Sequence, residues 1–376
     1  MDDGVKTFQM RTRVVYGPGA SETVGVEADH LSRDKKVLVV TDEGISQSGI
    51  LNAIKAQLEE RSLSYLVFDQ VPEDPDVEVV EACLERCQDH GADVVIGFGG
   101  GSPMCAAKAT AMLATNGGGL LDYEGAHKTR SEAMPVIAIP TTAGSGTEVS
   151  PVFIIKDRKT SRKMAFLSEY HYPQVAILDP IFLDTLPPKK AIHSSADAFS
   201  HAVEAYCSVD ATPLTDALAL RAMSTIYENM APAAFSCSRT RQLEMLLASA
   251  MANIACGNAR LGLVHVIADD LKLPHGLACG ICLPHVMEYN LPACERRIAD
   301  IAFALGKGRS AEKALEAVME LWSKVGIPYR LNEKPHRRVD QVVKRVMNDP
   351  LLKYNPRIPE PGDIERLWKG LFVEAG

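Results

Sequence analysis

Four short apolar runs rich in β-branched residues recur in the first 140 positions: 36–41 (KVLVVT), 65–68 (YLVF), 93–98 (DVVIGF) and 136–140 (VIAIP). Near-continuous apolar runs of this length fit strands buried on both faces, as in parallel sheets. Between them lie helical patterns at 49–61, 77–90 and 102–113. Strand alternating with helix predicts a doubly wound α/β sheet, and such sheets bind ligands outside the carboxyl ends of their strands.

Candidate ligand-binding residues sit at those ends. Gly99-Gly100-Gly101-Ser102 follows the third run and opens a helix. There the backbone can approach a phosphate, and free N–H groups and the positive dipole end favour an anion. Residues 141–147 (TTAGSGT) repeat that chemistry after the fourth run, with hydroxyls as extra donors. Asp42 ends the first run, where a carboxylate can accept from ribose hydroxyls or cap the next helix. Two phosphate-type loops and an acid at a third strand end point together to a dinucleotide. The basic run 156–163 (KDRKTSRK) reads as a solvated hairpin turn, from which one lysine could fold back onto the cofactor.

After Leu178-Asp179-Pro180 the strand signal ends, Pro187-Pro188 marks a turn, and residues from Lys189 onward read as successive helices. Two domains are expected, an α/β domain over 1–180 and an all-helical one over 181–376. In 191–206 (AIHSSADAFSHAVEAY), Asp197 and His201 are four apart and share a helix face. Such a pair can reach one divalent cation or serve as an ordinary surface pair. Residues 262–276 (GLVHVIADDLKLPHG) add His265 and His275. One carboxylate and three imidazoles suffice for a catalytic transition metal. His285 is a further candidate.

The formal net charge of −8 argues against nucleic acid or an anionic membrane as main partner. No window approaches the roughly 20 apolar residues of a membrane span, and the first residues lack a secretory core. The nine cysteines are scattered, which suggests reduced thiols and a cytoplasmic location. Cys279 and Cys282 form a CxxC without a second pair and read as helix packing, as do Cys83 and Cys87.

GGGSPM, PTTAGSGTEVS, ADAFSHAVEAYCS, LGLVH and LPHGLACGICLPHVMEYN resemble the iron-containing (group III) alcohol dehydrogenases, nearly end to end. The resemblance implies an N-terminal dinucleotide-binding domain, a helical C-terminal domain and a single Fe(II) or Zn(II) between them. By motif, the implied metal ligands are Asp197, His201, His265 and His275. The implied NAD contacts are Asp42, Asp74, Gly100, Gly101, Ser102, Thr141, Thr142, Ser145 and Lys163. A small alcohol or aldehyde would be the substrate, and a homodimer or higher homo-oligomer the expected assembly.

Four positions depart from the family pattern. Cys105 stands where Asp is usual, and the segment between His265 and His275 is shorter by about one helical turn. Asp269 replaces a histidine associated with proton transfer. Arg260 replaces a small residue and could bind a substrate carboxylate, sulfonate or phosphonate, or instead pair with Asp269, Asp270 or Glu204. Asp269 and Arg260 are thus the candidate catalytic residues. The alternatives are a metal- and NAD-dependent cyclase of the dehydroquinate synthase type and an NAD-binding protein with a dead site.

Overall fold

The computed structural model describes residues 5–158, 162–236 and 238–373. The chain forms two compact units, Met10–Leu186 and Pro187–Gly376, the second joined by Met1–Gln9.

The first unit contains strands β1 (Arg13–Tyr16), β2 (Lys36–Val40), β3 (Ser64–Phe68), β4 (Val94–Gly99), β5 (Gly125–Ala126), β6 (Val136–Pro140), β7 (Val152–Asp157), β8 (Arg162–Leu167) and β9 (Val175–Leu178). Its helices are α1 (Val24–Leu31), α2 (Glu43–Ser48), α3 (Leu51–Glu60), α4 (Val77–His90) and α5 (Gly101–Asn116). Six strands form one sheet in the order β1-β9-β6-β4-β2-β3, with every pairing parallel. Side chains of a strand alternate between faces, and the cores follow that alternation. Leu38, Val40 and Val95 pack with Val80, Cys83 and Cys87 of α4 and with Ala106 and Ala107 of α5. Val37, Val39, Val94 and Ile96 pack on the other face with Val24 and Ala28 of α1 and with Leu51, Ile54 and Leu58 of α3. The fold is therefore the doubly wound α/β arrangement expected. Burial pushes the Cys83 thiol up to about 12 and Cys87 to about 11, so both are packing residues.

The sequence pattern did not mark β1 or β9. The first is an edge strand with exposed ends, and the second is buried but only four residues long. A second, three-stranded sheet has the order β5-β8-β7. β7 and β8 are antiparallel with Lys156 opposite Lys163, so the basic run joins two strands; its residues 159–161 lie outside the described residues.

The second unit contains α6 (Pro188–Cys207), α7 (Pro213–Ser236), α8 (Arg239–Ala259), α9 (Leu263–Ala268), α10 (His275–Ala304), α11 (Ala311–Val325), α12 (Val339–Met347) and α13 (Pro361–Gly370). α6 packs against α7, α8 and α10 and is buried without a break from Ser195 to Cys207, as a central bundle helix must be. Pro188 occupies its first turn, where a missing N–H costs nothing.

The division differs from the expected 180/181 boundary in two respects. Residues 180–183 form a short 3-10 turn whose Phe182 sits in the sheet core, edge-on to Phe98 at 4.8 Å. At the other end, the Gln9 amide donates to Asn258 Oδ1 at 2.7 Å, and Lys6 pairs with Asp210. Those contacts tie the leading residues to the helical unit.

Among the described residues, no helix is long and apolar enough to cross a membrane.

Candidate functional site

In the helical unit, α6 presents Asp197, His201 and Glu204, α9 presents His265, and α10 begins at His275. Asp197 Oδ1 is the common point. It lies 3.4 Å from His265 Nε2, 3.7 Å from His275 Nε2 and 3.9 Å from His201 Nε2. The His201 and His265 rings stack, with centroids 4.6 Å apart. Asp197, His201 and His265 are each 6% exposed. Asp197 Oδ1 and His265 Nε2 are buried without a hydrogen-bond partner.

A buried polar atom without a partner costs about 1–3 kcal/mol, and here two such atoms face each other. Burial opposes ionisation of Asp197, yet His201, His275 and His265 hold it well below the usual carboxylate range. Burial lowers His201 to about 4. At neutral pH Asp197 is therefore anionic and His201 neutral, the states a divalent cation requires. Burial opposes a proton on His265, yet Cys279, Glu204 and Asp197 raise that ring well above its ordinary value, so a cation binding there displaces a proton from it. The donor set fits such an ion.

Two devices bring the donors together. The first is the contact of α10 with α6. A Cβ placed on Gly276 would fall 1.9 Å from the His193 carbonyl oxygen and 3.2 Å from Asp197 Cβ. Only glycine lets the first turn of α10 approach this closely, and that approach sets His275 beside Asp197. The second is Glu204. Its Oε1 accepts from the Val264 amide at 2.6 Å, and its Oε2 lies 2.5 Å from His265 Nδ1. The carboxylate thus anchors the N-terminus of α9 and fixes the tautomer that leaves His265 Nε2 open. The sequence alone offers Glu204 only as a partner for Arg260.

Cys279 was also missed. Its Sγ lies 3.7 Å from His275 Nε2, and one donor atom from each of Asp197, His265, His275 and Cys279 lie within 4.8 Å of one another. The residue is buried in the core, as helix packing predicts, and its sulfur also lies in this cluster. Its spacing from His275, four residues on one helix, is the same signal that singled out Asp197 and His201. His285 lies elsewhere, with Nε2 2.9 Å from the Tyr329 carbonyl oxygen.

Asp269 Oδ1 is 3.7 Å from His275 Nδ1. Arg260 ends α8 at φ 75°, a backbone region rare for a side chain of its size. Its Nη1 donates to the Gly257 carbonyl at 2.8 Å. Of the three acids considered as its partners, Glu204 serves His265, Asp269 lies against His275, and Asp270 is held by Arg337 and Arg345.

In the sheet unit, Asp42 lies two residues beyond the end of β2, and Gly99, the last residue of β4, leads into Gly100–Ser102. The chain runs from β2 outward to β3 and then returns to β4 on the other side of β2, so Asp42 and the glycines flank the reversal of strand order where open sheets bind ligands. The Asp42 side chain accepts from the Ile45 amide at 2.9 Å and so caps α2. A Cβ on Gly101 would stand 3.2 Å from Ser145 Oγ, and one on Gly100 3.6 Å from Thr142 Cγ2. The two phosphate-type loops are therefore neighbours. Gly99 has φ 153°, and a Cβ there would meet Pro103 at 2.6 Å, so this turn requires glycine. The Thr141 amide donates to the Gly99 carbonyl at 2.9 Å.

The Asp74 amide donates to Ser102 Oγ at 3.2 Å. The following Pro75 accepts from the Lys156 amide at 2.8 Å, and Lys156 is the register partner of Lys163. Cys105 lies in the core with its Sγ accepting from the Ile154 amide at 3.4 Å. Its departure from the family pattern is thus absorbed in packing between α5 and β7.

Two buried charges here were not legible in the sequence. Lys108 of α5 donates to the carbonyls of Ser150 at 2.6 Å, Val152 at 2.8 Å and Thr147 at 3.3 Å, pinning the end of the second loop. Glu148 is buried in that same loop.

The model of the iron-containing alcohol dehydrogenases matches residues 11–180, and that of the family's C-terminal region matches residues 191–372. The chain belongs to the iron-containing alcohol dehydrogenase family. Alcohol dehydrogenase 4 of Saccharomyces cerevisiae is 36% identical over 85% of each chain. The structure of a 1,3-propanediol oxidoreductase superposes with a TM-score of 0.94 at 32% identity, covering 98% of this chain and 100% of the other. A sulfoacetaldehyde reductase from Bifidobacterium kashiwanohense, solved with NAD+, is 25% identical with a TM-score of 0.89, covering 99% and 100%. The protein is an NAD-dependent alcohol dehydrogenase of the iron-containing type, with an alcohol or aldehyde as its small-molecule substrate.

Proposed function

We propose that this dehydrogenase interconverts a small primary alcohol and its aldehyde, that Asp197, His201, His265 and His275 hold one Fe(II) or Zn(II), and that the favoured aldehyde bears an anionic group. The observation that supports the metal assignment is the meeting of Asp197 Oδ1 and His265 Nε2, both buried and 3.4 Å apart without a well-formed hydrogen bond. A divalent cation there supplies Lewis acidity toward the alcohol oxygen, and NAD supplies the hydride acceptor.

The protein's own residues do the rest. Glu204 holds the His265 ring in its tautomer and position. Asp269, half exposed and beside His275 Nδ1, passes the alcohol's proton between the site and solvent. Asp42 accepts from the ribose hydroxyls, and its charge disfavours an added ribose phosphate. Gly100, Gly101, Ser102, Thr141, Thr142 and Ser145 form the phosphate cradle, with Asp74 and Lys163 at its margin.

Arg260 supports the anionic substrate. Its hydrogen bond named above is to a carbonyl of its own helix and uses Nη1. A guanidinium so placed has donors for a sulfonate or carboxylate, and the sulfoacetaldehyde reductase acts on such an aldehyde. We further place the enzyme in the cytoplasm as a homo-oligomer, a reading supported by the free, buried thiols from Cys83 to Cys294 and by the family resemblance.

The test is NADH oxidation across a panel of neutral and anionic aldehydes, after chelator stripping and separate reconstitution with Fe(II) and Zn(II). Turnover that survives complete stripping would exclude the metal assignment. Equal specificity constants for neutral and anionic aldehydes would exclude the substrate assignment.

A further inference from the structure

We propose that Cys279 is a thiolate ligand of the same cation, so that the site carries a sulfur donor and selects Zn(II) over Fe(II). The inference rests on the metal-site reading above and adds a residue to it. Three observations carry it. Cys279 is fully buried on α10, one turn from His275 on the same face, and its Sγ lies 3.7 Å from the His275 nitrogen that faces Asp197. Its sulfur falls in one tight cluster with donor atoms of Asp197, His265 and His275. Two of those donors, Asp197 Oδ1 and His265 Nε2, are buried and lie 3.4 Å apart without a well-formed hydrogen bond, so the sulfur faces a point where buried donor atoms converge.

The chemistry follows from donor type. On binding, the S–H bond breaks, the sulfur lone pair goes to the cation and the proton goes to the buffer; no redox partner is involved. Added to Asp197, His201, His265 and His275, the thiolate makes a set of one carboxylate, three imidazoles and one sulfur, of mixed hardness. Thiolate among imidazoles suits Zn(II), whereas Fe(II) sites that activate substrates are built from histidine and carboxylate. A carboxylate and a thiolate together also cancel the cation's double charge. That would weaken the cation's pull on a substrate oxygen.

The experiment uses the full-length protein, stripped and then loaded with Zn(II) or Co(II), with metal content measured first. X-ray absorption of the Zn(II) form needs no variant and should require one sulfur neighbour at about 2.3 Å. The Co(II) form should show near-ultraviolet sulfur-to-metal charge transfer, which oxygen and nitrogen ligands do not give. Cys279→Ser should lose that band while keeping the visible ligand-field bands, and Cys282→Ser should keep both. Cys279→Ser should also shift competition between Zn(II) and Fe(II) at least tenfold toward iron.

One equivalent of metal bound with only nitrogen and oxygen neighbours overturns the Cys279 assignment and leaves the metal site standing. A charge-transfer band that persists in Cys279→Ser also overturns it. Failure of the wild type to retain any metal overturns both readings, and the metal analysis tells these outcomes apart.

Discussion

Glu204 Oε2 stands 2.5 Å from Nδ1 of His265, and both side chains are buried. The same carboxylate accepts from the Val264 amide, so one residue fixes both a helix start and an imidazole tautomer. Outer-shell carboxylates of this kind typically change metal affinity by about 10–100-fold when removed. Glu204→Gln keeps the volume and loses the charge. We expect metal affinity to fall by about that factor with little change in far-ultraviolet circular dichroism. Chelator competition measures it, and an unchanged affinity would leave Glu204 a purely structural anchor.

Gly276→Ala tests the helix contact that brings His275 to Asp197. The added methyl meets the His193 backbone carbonyl, which cannot rotate away as a flexible side chain can. Overpacking of this kind costs about 1–3 kcal/mol, and the shift it forces separates α10 from α6. The variant should lose stability by that amount in urea unfolding and should retain metal poorly after dialysis. Stability lost with full metal retention would show that His275 is positioned by something else.

The sheet was legible because β2, β4 and β6 are buried β-branched runs whose side chains feed two cores. The cradle was legible because glycine and hydroxyl residues immediately follow those strands. The donors on α6 were visible through their spacing, and the same rule applied to α10 would have found Cys279. Glu204 and Lys108 were not visible, because their meaning comes from partners about 40–60 positions away. In sequence each is one charge on a helix, and helix charges are usually solvated. Edge strand β1 escaped notice because exposure at its ends removes the signal that marks a buried strand.

Arg260→Ala separates the anionic-substrate reading from a capping role. Hydrogen bonds to a charged group contribute about 1.5–3 kcal/mol, so the specificity constant for an anionic aldehyde should fall about 10–100-fold. Propionaldehyde should be affected little. Arg260→Gly gives the control for backbone strain: glycine tolerates φ 75°, so the protein should be at least as stable while showing the same selective loss. Equal losses with both aldehydes would remove the guanidinium from substrate binding.

Lys108 of α5 and Glu148 at the end of the second phosphate-type loop set a pH dependence that one substitution tests. Burial raises Glu148 from 4.5 to about 7, against the pull of Lys108, and lowers Lys108 from 10.5 to about 8. Between pH 4.5 and 7 the folded protein holds a proton on Glu148 that the unfolded chain has released, so stability falls as pH rises through that window. Between 8 and 10.5 the unfolded chain holds more protons at Lys108, and stability contributed by this group rises with pH. Burial also lowers His171 from 6.5 to about 4, which adds a rise between those values and partly masks the Glu148 effect in the wild type. Glu148→Gln removes the carboxylate's own titration and, with it, the attraction that raises Lys108, whose titration lies mostly above this window. Its stability relative to wild type should therefore increase from pH 5 to pH 7.5 by up to roughly 3 kcal/mol, the value of a 2.5-unit displacement. Urea unfolding of both proteins at the two pH values measures the change. A difference independent of pH would mean that Glu148 titrates near its ordinary value, and that Lys108 holds the loop through the three carbonyls alone.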